Sequence, residues 1–163
     1  MECWNDPKAQ RAAADWTTAR REELLSQGRG LAFETVFSTI EKLEFLARAK
    51  NFGYFVRLFF IGTISPSING ARVTARVMAG GHTVPIEKII SRYRKSVGYL
   101  PQAIKFADRV YIYDNSVDGV EARLCARTTD GKLRKVYGPL PEWVSDAVEE
   151  IPRHAEFSDV RTA

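Results

Sequence analysis

The spacing of apolar residues along the chain predicts five α-helices, because apolar positions recur every three or four residues in five segments. The first segment covers residues 7–27; it opens with Pro7 and closes at Gly28, a typical helix start and stop. Pro66 likewise suits the first turn of its helix, whereas Pro101 is expected to kink or interrupt the helix that contains it. The remaining predicted helices cover residues 39–50, 66–79, 85–107 and 139–150.

Shorter apolar runs predict five β-strands. Residues 54–61 form a run of eight with one charge, which is typical of a strand covered on both faces. The dipeptide Asp130-Gly131 predicts a hairpin turn between two strands. A short apolar run at 31–34 indicates a buried strand that ends at Glu34. The other predicted strands cover residues 110–113, 122–126 and 133–137.

The order of these elements predicts an α/β fold with a mainly parallel sheet. We find no repeat or interdomain linker, so residues 1–150 are expected to form a single domain and residues 151–163 a polar C-terminal tail. Sheets of this kind bind ligands just beyond the carboxyl ends of their strands. That rule directs attention to residues 34–35, 62–65 and 114–116.

Glu34 is the clearest single candidate for a functional residue. A carboxylate that ends an apolar strand lies at the rim of a pocket, where it can bind a hydroxyl group or steer a metal-bound phosphate. The alternative is a solvated carboxylate at the end of a strand. Position alone leaves both interpretations open.

A second group of candidates consists of basic side chains on the two predicted helices that flank Gly80-Gly81. Cations on helices joined by a flexible loop can close over a polyphosphate and neutralise charge in a phosphoryl-transfer transition state. The alternative is that the side chains belong to solvated helix faces and that the histidine is bonded to loop backbone. The candidates are Arg72, Arg76, His82, Arg92, Arg94 and Lys95.

Composition narrows the class of partner and the compartment. The 24 Lys and Arg residues exceed the 20 Asp and Glu residues by four; this excess suits phosphate-bearing ligands but is too small to favour nucleic acid. Cys3 and Cys125 lack metal-ligand spacing, so no metal site is predicted. The few cysteines, together with the lack of a signal-peptide pattern and of an apolar stretch of about 18 residues, favour a cytoplasmic protein with no membrane partner.

Several motifs together carry a resemblance to a known family. They are GRGLAFETVFS at 28–38, YFVRLFFI at 54–61, RVMAGGHTVP at 76–85, RYRKS at 92–96 and YDNS at 113–116. With these motifs the chain resembles the zeta-toxin-like P-loop kinases over residues 8–137. That family includes UDP-N-acetylglucosamine kinases and members of toxin–antitoxin systems.

The resemblance implies a three-layer P-loop kinase fold. It implies transfer of the γ-phosphate of ATP, with Mg²⁺, to a hydroxyl group of a small molecule such as UDP-N-acetylglucosamine. The residue roles that it implies are substrate binding by Glu34 and Thr35, catalysis by the lid residues Arg76, Arg92 and Arg94, and nucleotide binding by His82, Asp114 and Asn115.

The chain also departs from that family. Family members have a first strand, a phosphate-binding loop with its lysine and a helix ahead of the segment with which this chain begins, and the sequence has no GxxxxGKS/T motif. We therefore expect an N-terminally truncated kinase domain that is incomplete as an enzyme.

The partners expected of such a domain are ATP and a hydroxyl acceptor, with an antitoxin, a complementing N-terminal fragment or a second copy as macromolecular candidates. The alternative function is that of a non-catalytic remnant, which would dimerise or bind a partner through an exposed sheet edge.

Overall fold

The structure, a computed structural model, describes residues 6–81 and 83–160. It divides into two compact units, Met1–Thr35 and Val36–Ala163. The first unit contains helix α1 (Pro7–Ser26), which confirms the first predicted helix. Asp6 caps this helix, because its carboxylate accepts a hydrogen bond of 3.1 Å from the Lys8 amide.

The strand predicted at residues 31–34 is wrong, since residues 29–35 have no regular secondary structure. A strand is stabilised by ladder hydrogen bonds to a neighbour and by burial of at least one face. Residues 32–35 are instead exposed. The Phe33 ring makes a local contact, with the Arg21 guanidinium carbon 4.7 Å from the ring centroid. The short apolar run therefore reflects one aromatic contact and not a buried strand.

The second unit is an α/β domain. Its sheet has the order β1-β2-β3-β4-β5; β1 and β2 are parallel, β4 and β5 are parallel, and β3 is antiparallel to both neighbours. Among the described residues, four of the five strands thus run in one direction. The elements are α2 (Ile40–Asn51), β1 (Arg57–Gly62), α3 (Pro66–Met78), α4 (Ile86–Phe106), β2 (Arg109–Asp114), β3 (Arg123–Thr129), β4 (Lys132–Val136), α5 (Glu142–Val148) and β5 (Arg153–Asp159).

The hairpin between β3 and β4 confirms the prediction from its turn residues. Asp130 and Gly131 have φ angles of 48° and 72°. Two successive residues with positive φ form the turn that matches the twist of antiparallel strands, and Asp-Gly tolerates it best. A strictly local signal was therefore enough to locate this element.

Helix α4 runs through Pro101 without a break, so an interruption there, one of the two expected effects of this proline, does not occur. Proline in a helix removes one hydrogen bond and costs about 3 kcal/mol. Leu100, Ala103 and Ile104 on either side of it are completely buried. Burial of this apolar surface outweighs the cost of the proline and keeps the helix continuous.

Strand β5 lies in the segment that we expected to be a polar tail. Its backbone pairs in parallel with β4, with Lys135 opposite Ser158. Most of its side chains are exposed, so the segment carries no apolar pattern that would have indicated a strand. Arg134 on β4 also forms an ion pair with Glu156 at 2.5 Å. Backbone pairing, which leaves no mark on composition, therefore extends the sheet.

The two faces of the sheet differ sharply at β1 and β2. Phe60, Val110 and Ile112 point to the helices and are at most 6% exposed. Phe59 and Ile61, which alternate with Phe60 on β1, are 56% and 60% exposed. The expectation that this strand is covered on both faces is therefore wrong for the second unit. We call the side that carries Phe59 and Ile61 the open face.

Candidate functional site

The carboxyl ends of the parallel strands β1 and β2 lie side by side. Gly62 pairs with Asp114 in the strand register, and the Asn115 amide donates a hydrogen bond of 2.8 Å to the Gly62 carbonyl. Two of the predicted ligand-binding segments, residues 62–65 and 114–116, are thereby brought together. We call these two segments the strand-end site.

Side-chain hydrogen bonds fix the two loops to each other. The Ile64 amide donates to Ser116 Oγ at 2.8 Å, and Ser116 Oγ donates to Asp114 Oδ1 at 2.6 Å. The indole Nε1 of Trp143 on α5 donates to the same carboxylate oxygen at 3.1 Å. Asp114, predicted to bind nucleotide, therefore orders the loop that would face such a ligand.

Trp143 also closes the base of the strand-end site by packing. Its ring lies against Gly62, where an added Cβ would come within 2.6 Å of the ring. Only glycine fits at this close approach of strand and ring. The ring of Phe60 lies 6.0 Å away, centroid to centroid, so the indole is held on two sides.

Arg72 on α3 binds the backbone of the second loop. Its Nη1 donates to the Asn115 carbonyl at 2.9 Å and its Nη2 to the Val117 carbonyl at 3.5 Å. Its Nε lies 3.6 Å from the Asp118 carboxylate. Arg72, a member of the predicted cation cluster, is therefore engaged in holding residues 114–118.

Tyr93 on α4 binds the first loop and was not among the predicted site residues. Its hydroxyl donates to the Thr63 carbonyl at 2.9 Å. Burial raises the pKa of Tyr93, and the negative charge of Asp114 raises it further. The hydroxyl thus stays protonated and keeps its role as a donor. In the sequence, Tyr93 has only the signal of a core position on a predicted helix.

Helices α3 and α4 run antiparallel beside the strand-end site. Gly70 on α3 faces Ile86 at the start of α4, where an added Cβ would be 3.0 Å from Ile86 Cδ1. Further along, Tyr93 reaches back to Thr63, which precedes α3. The chain therefore leaves the strand end along α3 and returns to it along α4.

This arrangement separates the predicted catalytic arginines. Arg92 and Arg94 flank Tyr93 in the sequence of α4; Arg92 is half-buried and Arg94 is exposed. Arg76 lies six residues after Gly70 on α3. Arg92 lies six residues after Ile86, the residue of α4 that faces Gly70. Because the two helices are antiparallel, Arg76 and Arg92 lie in opposite directions from this contact. At a rise of 1.5 Å per residue they are about 18 Å apart along the helix axes. Arg76 is thus at the far, exposed end of the helix pair.

The three predicted catalytic arginines also differ from Arg72 in their partners. Within residues 6–81 and 83–160, Arg76, Arg92 and Arg94 form no ion pair. Arg94 lines an open depression on α4 together with Glu87 and Lys95. Their guanidinium groups are available to an anionic ligand.

The remaining predicted site residues belong to the first unit or lie outside the described residues. Glu34 and Thr35 are exposed residues of the first unit. His82 lies outside the described residues. The described ranges contain no group of three or more His, Cys, Asp or Glu side chains arranged to hold a metal ion. Cys125 is buried in the second unit, and this burial raises the pKa of its thiol.

Comparison of the chain with protein-family models, with curated proteins and with solved structures gives no match. None of the helices in the described ranges combines the length and the apolar character that crossing a bilayer requires.

Proposed function

We propose that the chain is part of an ATP-dependent small-molecule kinase of the zeta-toxin-like type, with the three-layer P-loop kinase architecture of that family. The reaction would transfer the γ-phosphate of ATP, with Mg²⁺, to a hydroxyl group, for which UDP-N-acetylglucosamine is the candidate acceptor. The observation that carries this proposal is the strand-end site, whose two loops are fixed by side chains from α3, α4 and α5.

The position of the site supports ligand binding. Open α/β sheets bind ligands beyond the carboxyl ends of parallel strands. Here Tyr93, Arg72 and Trp143, from three different helices, each donate a hydrogen bond to the strand-end loops. A preorganised loop loses little conformational freedom on binding, so the network favours a ligand at this edge of the sheet.

The chemistry of phosphoryl transfer assigns roles to the arginines. Transfer depends on positioning and on stabilising the charge of the phosphoryl group. Arg92 and Arg94 would contact the phosphates near the strand-end site, with Asp114 and Asn115 on the nucleotide side. Arg76 would join them only after the helix pair moves. The loop after α3, where Gly80 has a φ of 93°, is the place for such a bend.

The sequence limits the affinity for ATP that we expect of this chain alone. It contains no GxxxxGKS/T loop, the element that cradles nucleotide phosphates with backbone amides and a lysine. Glu34 and Thr35 are assigned to the acceptor side of the reaction by the family resemblance. The chain would therefore supply lid and acceptor contacts, and a second segment would complete the phosphate cradle.

Isothermal calorimetry with Mg²⁺-ATP tests this proposal. We expect weak but measurable binding, which the double variant Arg92→Gln/Arg94→Gln lowers about tenfold or more because charged hydrogen bonds to phosphate are lost. Lys105→Gln is the positional control: it removes one charge from the same helix, about three turns away, and should leave binding unchanged. Transfer of labelled phosphate to UDP-N-acetylglucosamine is then measured with a complementing N-terminal segment added.

One result would contradict the kinase proposal. If the chain binds no Mg²⁺-ATP and light scattering gives the mass of a dimer, the domain acts as the non-catalytic interaction module instead. Binding that is equally weakened in the Lys105→Gln control would mean that the arginines act only through general charge.

A further inference from the structure

The open face of the sheet carries a cluster of arginine and aromatic side chains that the proposed kinase function does not use. Strand register places Arg57 beside Arg109, and Phe59 beside Tyr111, which in turn lies beside Arg127 of β3. These residues share one face because side chains alternate along each strand. The face is formed by Phe55, Arg57, Phe59, Ile61, Arg109, Tyr111, Tyr113 and Arg127.

The arginines of this face lack carboxylate partners. Within the part of the chain that is described, Arg57, Arg109 and Arg127 form no ion pair. The guanidinium carbons of Arg57 and Arg109 both lie close to the Phe55 ring, 5.5 Å and 5.8 Å from its centroid. Like charges on neighbouring strands destabilise a sheet. An anion between the two guanidinium groups would relieve this repulsion.

Two guanidinium nitrogens of this face lie without an acceptor in the described structure. The Nε atoms of Arg109 and Arg127 are buried and have no hydrogen-bond partner in the described structure. A buried N–H group without an acceptor is costly, and such groups are rare in native proteins.

The aromatic residues form a partly exposed apolar cluster beside the arginines. The rings of Phe59 and Tyr111 are stacked, with centroids 5.2 Å apart and planes inclined by 11°. Phe59 is more than half exposed, as is Phe55. Exposed aromatic rings on a sheet, next to cations, are the arrangement that stacks unpaired bases while the cations contact the phosphates.

We propose that the open face binds single-stranded nucleic acid, with phosphates on Arg57, Arg109 and Arg127 and bases against Phe59 and Tyr111. Charge complementarity selects this occupant, because the outward positions of β1 to β3 contain three arginines and no Asp or Glu. A second copy of the chain fits less well, since a two-fold contact would bring like arginines together. A duplex fits less well because its base faces are already stacked.

The local charge of the open face differs from the net charge of the whole chain. An excess of four positive charges over the chain gives no reason to expect nucleic acid. The structure concentrates three of the cations on one face without counter-charges. Local charge, and not the sum over the molecule, determines the attraction for a polyanion.

Fluorescence anisotropy with labelled single strands of about 12 nucleotides, oligo(dT) and oligo(U), tests the proposal over about 50 to 200 mM salt. We expect the full chain to bind at low salt. The variant Arg57→Gln/Arg109→Gln/Arg127→Gln should bind about tenfold more weakly or worse, with the slope of log K against log salt reduced by about 0.7 for each lost phosphate contact. Phe59→Ala should weaken binding about fivefold and leave that slope unchanged.

The matched control is Lys8→Gln/Arg11→Gln/Lys105→Gln, which removes the same charge from exposed helix positions and should retain binding. Thermal unfolding checks that each variant is folded.

The proposal is overturned if the full chain does not bind single strands at low salt, if the control loses as much affinity, or if a duplex competes equally well. A dimer that Phe59→Ala dissociates, without any binding of oligonucleotide, would identify the face as a self-association surface. Comparison of oligo(dT) with oligo(U) distinguishes DNA from RNA.

Discussion

The two faces of one sheet have opposite characters, although the same strands build both. On the helix-covered face, Val110 and Ile112 are fully buried and Trp143 packs against Gly62 while its N–H binds Asp114. On the open face, Phe59 is exposed and Arg109 has a donor without an acceptor. From this contrast we expect most of the stability to come from the covered face, so that the fold tolerates changes on the open face better.

The largest effect is expected for Trp143→Ala, which breaks the covered face. The change removes a buried ring from between Gly62 and Phe60 together with the hydrogen bond to Asp114. Truncation of a buried tryptophan costs about 3–5 kcal/mol. Urea unfolding followed by circular dichroism measures the loss.

Trp143→Phe is the companion variant, because it keeps an aromatic ring but loses the N–H donor and the outer ring atoms that lie against Gly62. We expect it to cost about 1–2 kcal/mol. Equal losses in the two variants would mean that the hydrogen bond to Asp114 and the contact with Gly62, and not the rest of the ring, maintain this end of the sheet.

Local sequence signals predicted much of the fold. Pro66 begins α3 as expected, and Asp130-Gly131 forms the hairpin turn. Signals of this kind act within a few residues, so they are visible in the sequence. The uninterrupted helix at Pro101 and the strand β5 depend on burial and backbone pairing with distant elements, which the local pattern does not record.

The candidate site, like the fold, was predicted from the sequence only in part. The rule for strand ends placed residues 62–65 and 114–116 together, and the structure does so. Tyr93 and Trp143 were missed because they reach the site by tertiary packing from separate helices. The open face was missed because an apolar run such as 54–61 does not reveal which of its two sides a helix will cover.

A smaller effect on stability is expected for a substitution of Asp108. Both carboxylate oxygens of Asp108 accept hydrogen bonds, whereas the Nε atoms of Arg109 and Arg127 on the open face have no acceptor in the described structure. The Asp108 carboxylate accepts a hydrogen bond of 2.7 Å from the Val56 amide and another from Lys50 Nζ. Burial raises the pKa of Asp108, but the Lys50 hydrogen bond, the Val56 amide and the charge of Lys50 together lower it below the ordinary value.

The lowered pKa fixes the sign of the pH dependence. Asp108 contributes stability above its unfolded pKa of about 3.9, and this contribution is lost as the pH falls through the lower folded value. Asp108→Asn should therefore cost about 1 kcal/mol at pH 7, limited by the partial exposure of Lys50, and the difference from wild type should shrink toward pH 3. Unfolding at several pH values measures it. A difference that is constant with pH would mean that the charge of Asp108 is irrelevant.

The smallest effect is expected for Phe59→Ser on the open face. Phe59 is 56% exposed, so its removal leaves no cavity, and substitutions at such surface positions usually change the free energy of unfolding by no more than about 0.5 kcal/mol. Phe60→Ala is the matched control one residue away, because Phe60 is 6% exposed and its loss should cost about 3–5 kcal/mol. Urea unfolding of both variants compares the two faces at one point of one strand. Similar losses at the two positions would mean that the open face contributes to folding. An unchanged free energy of unfolding in Phe59→Ser would mean that folding does not need the Phe59 side chain, which is then available for a partner.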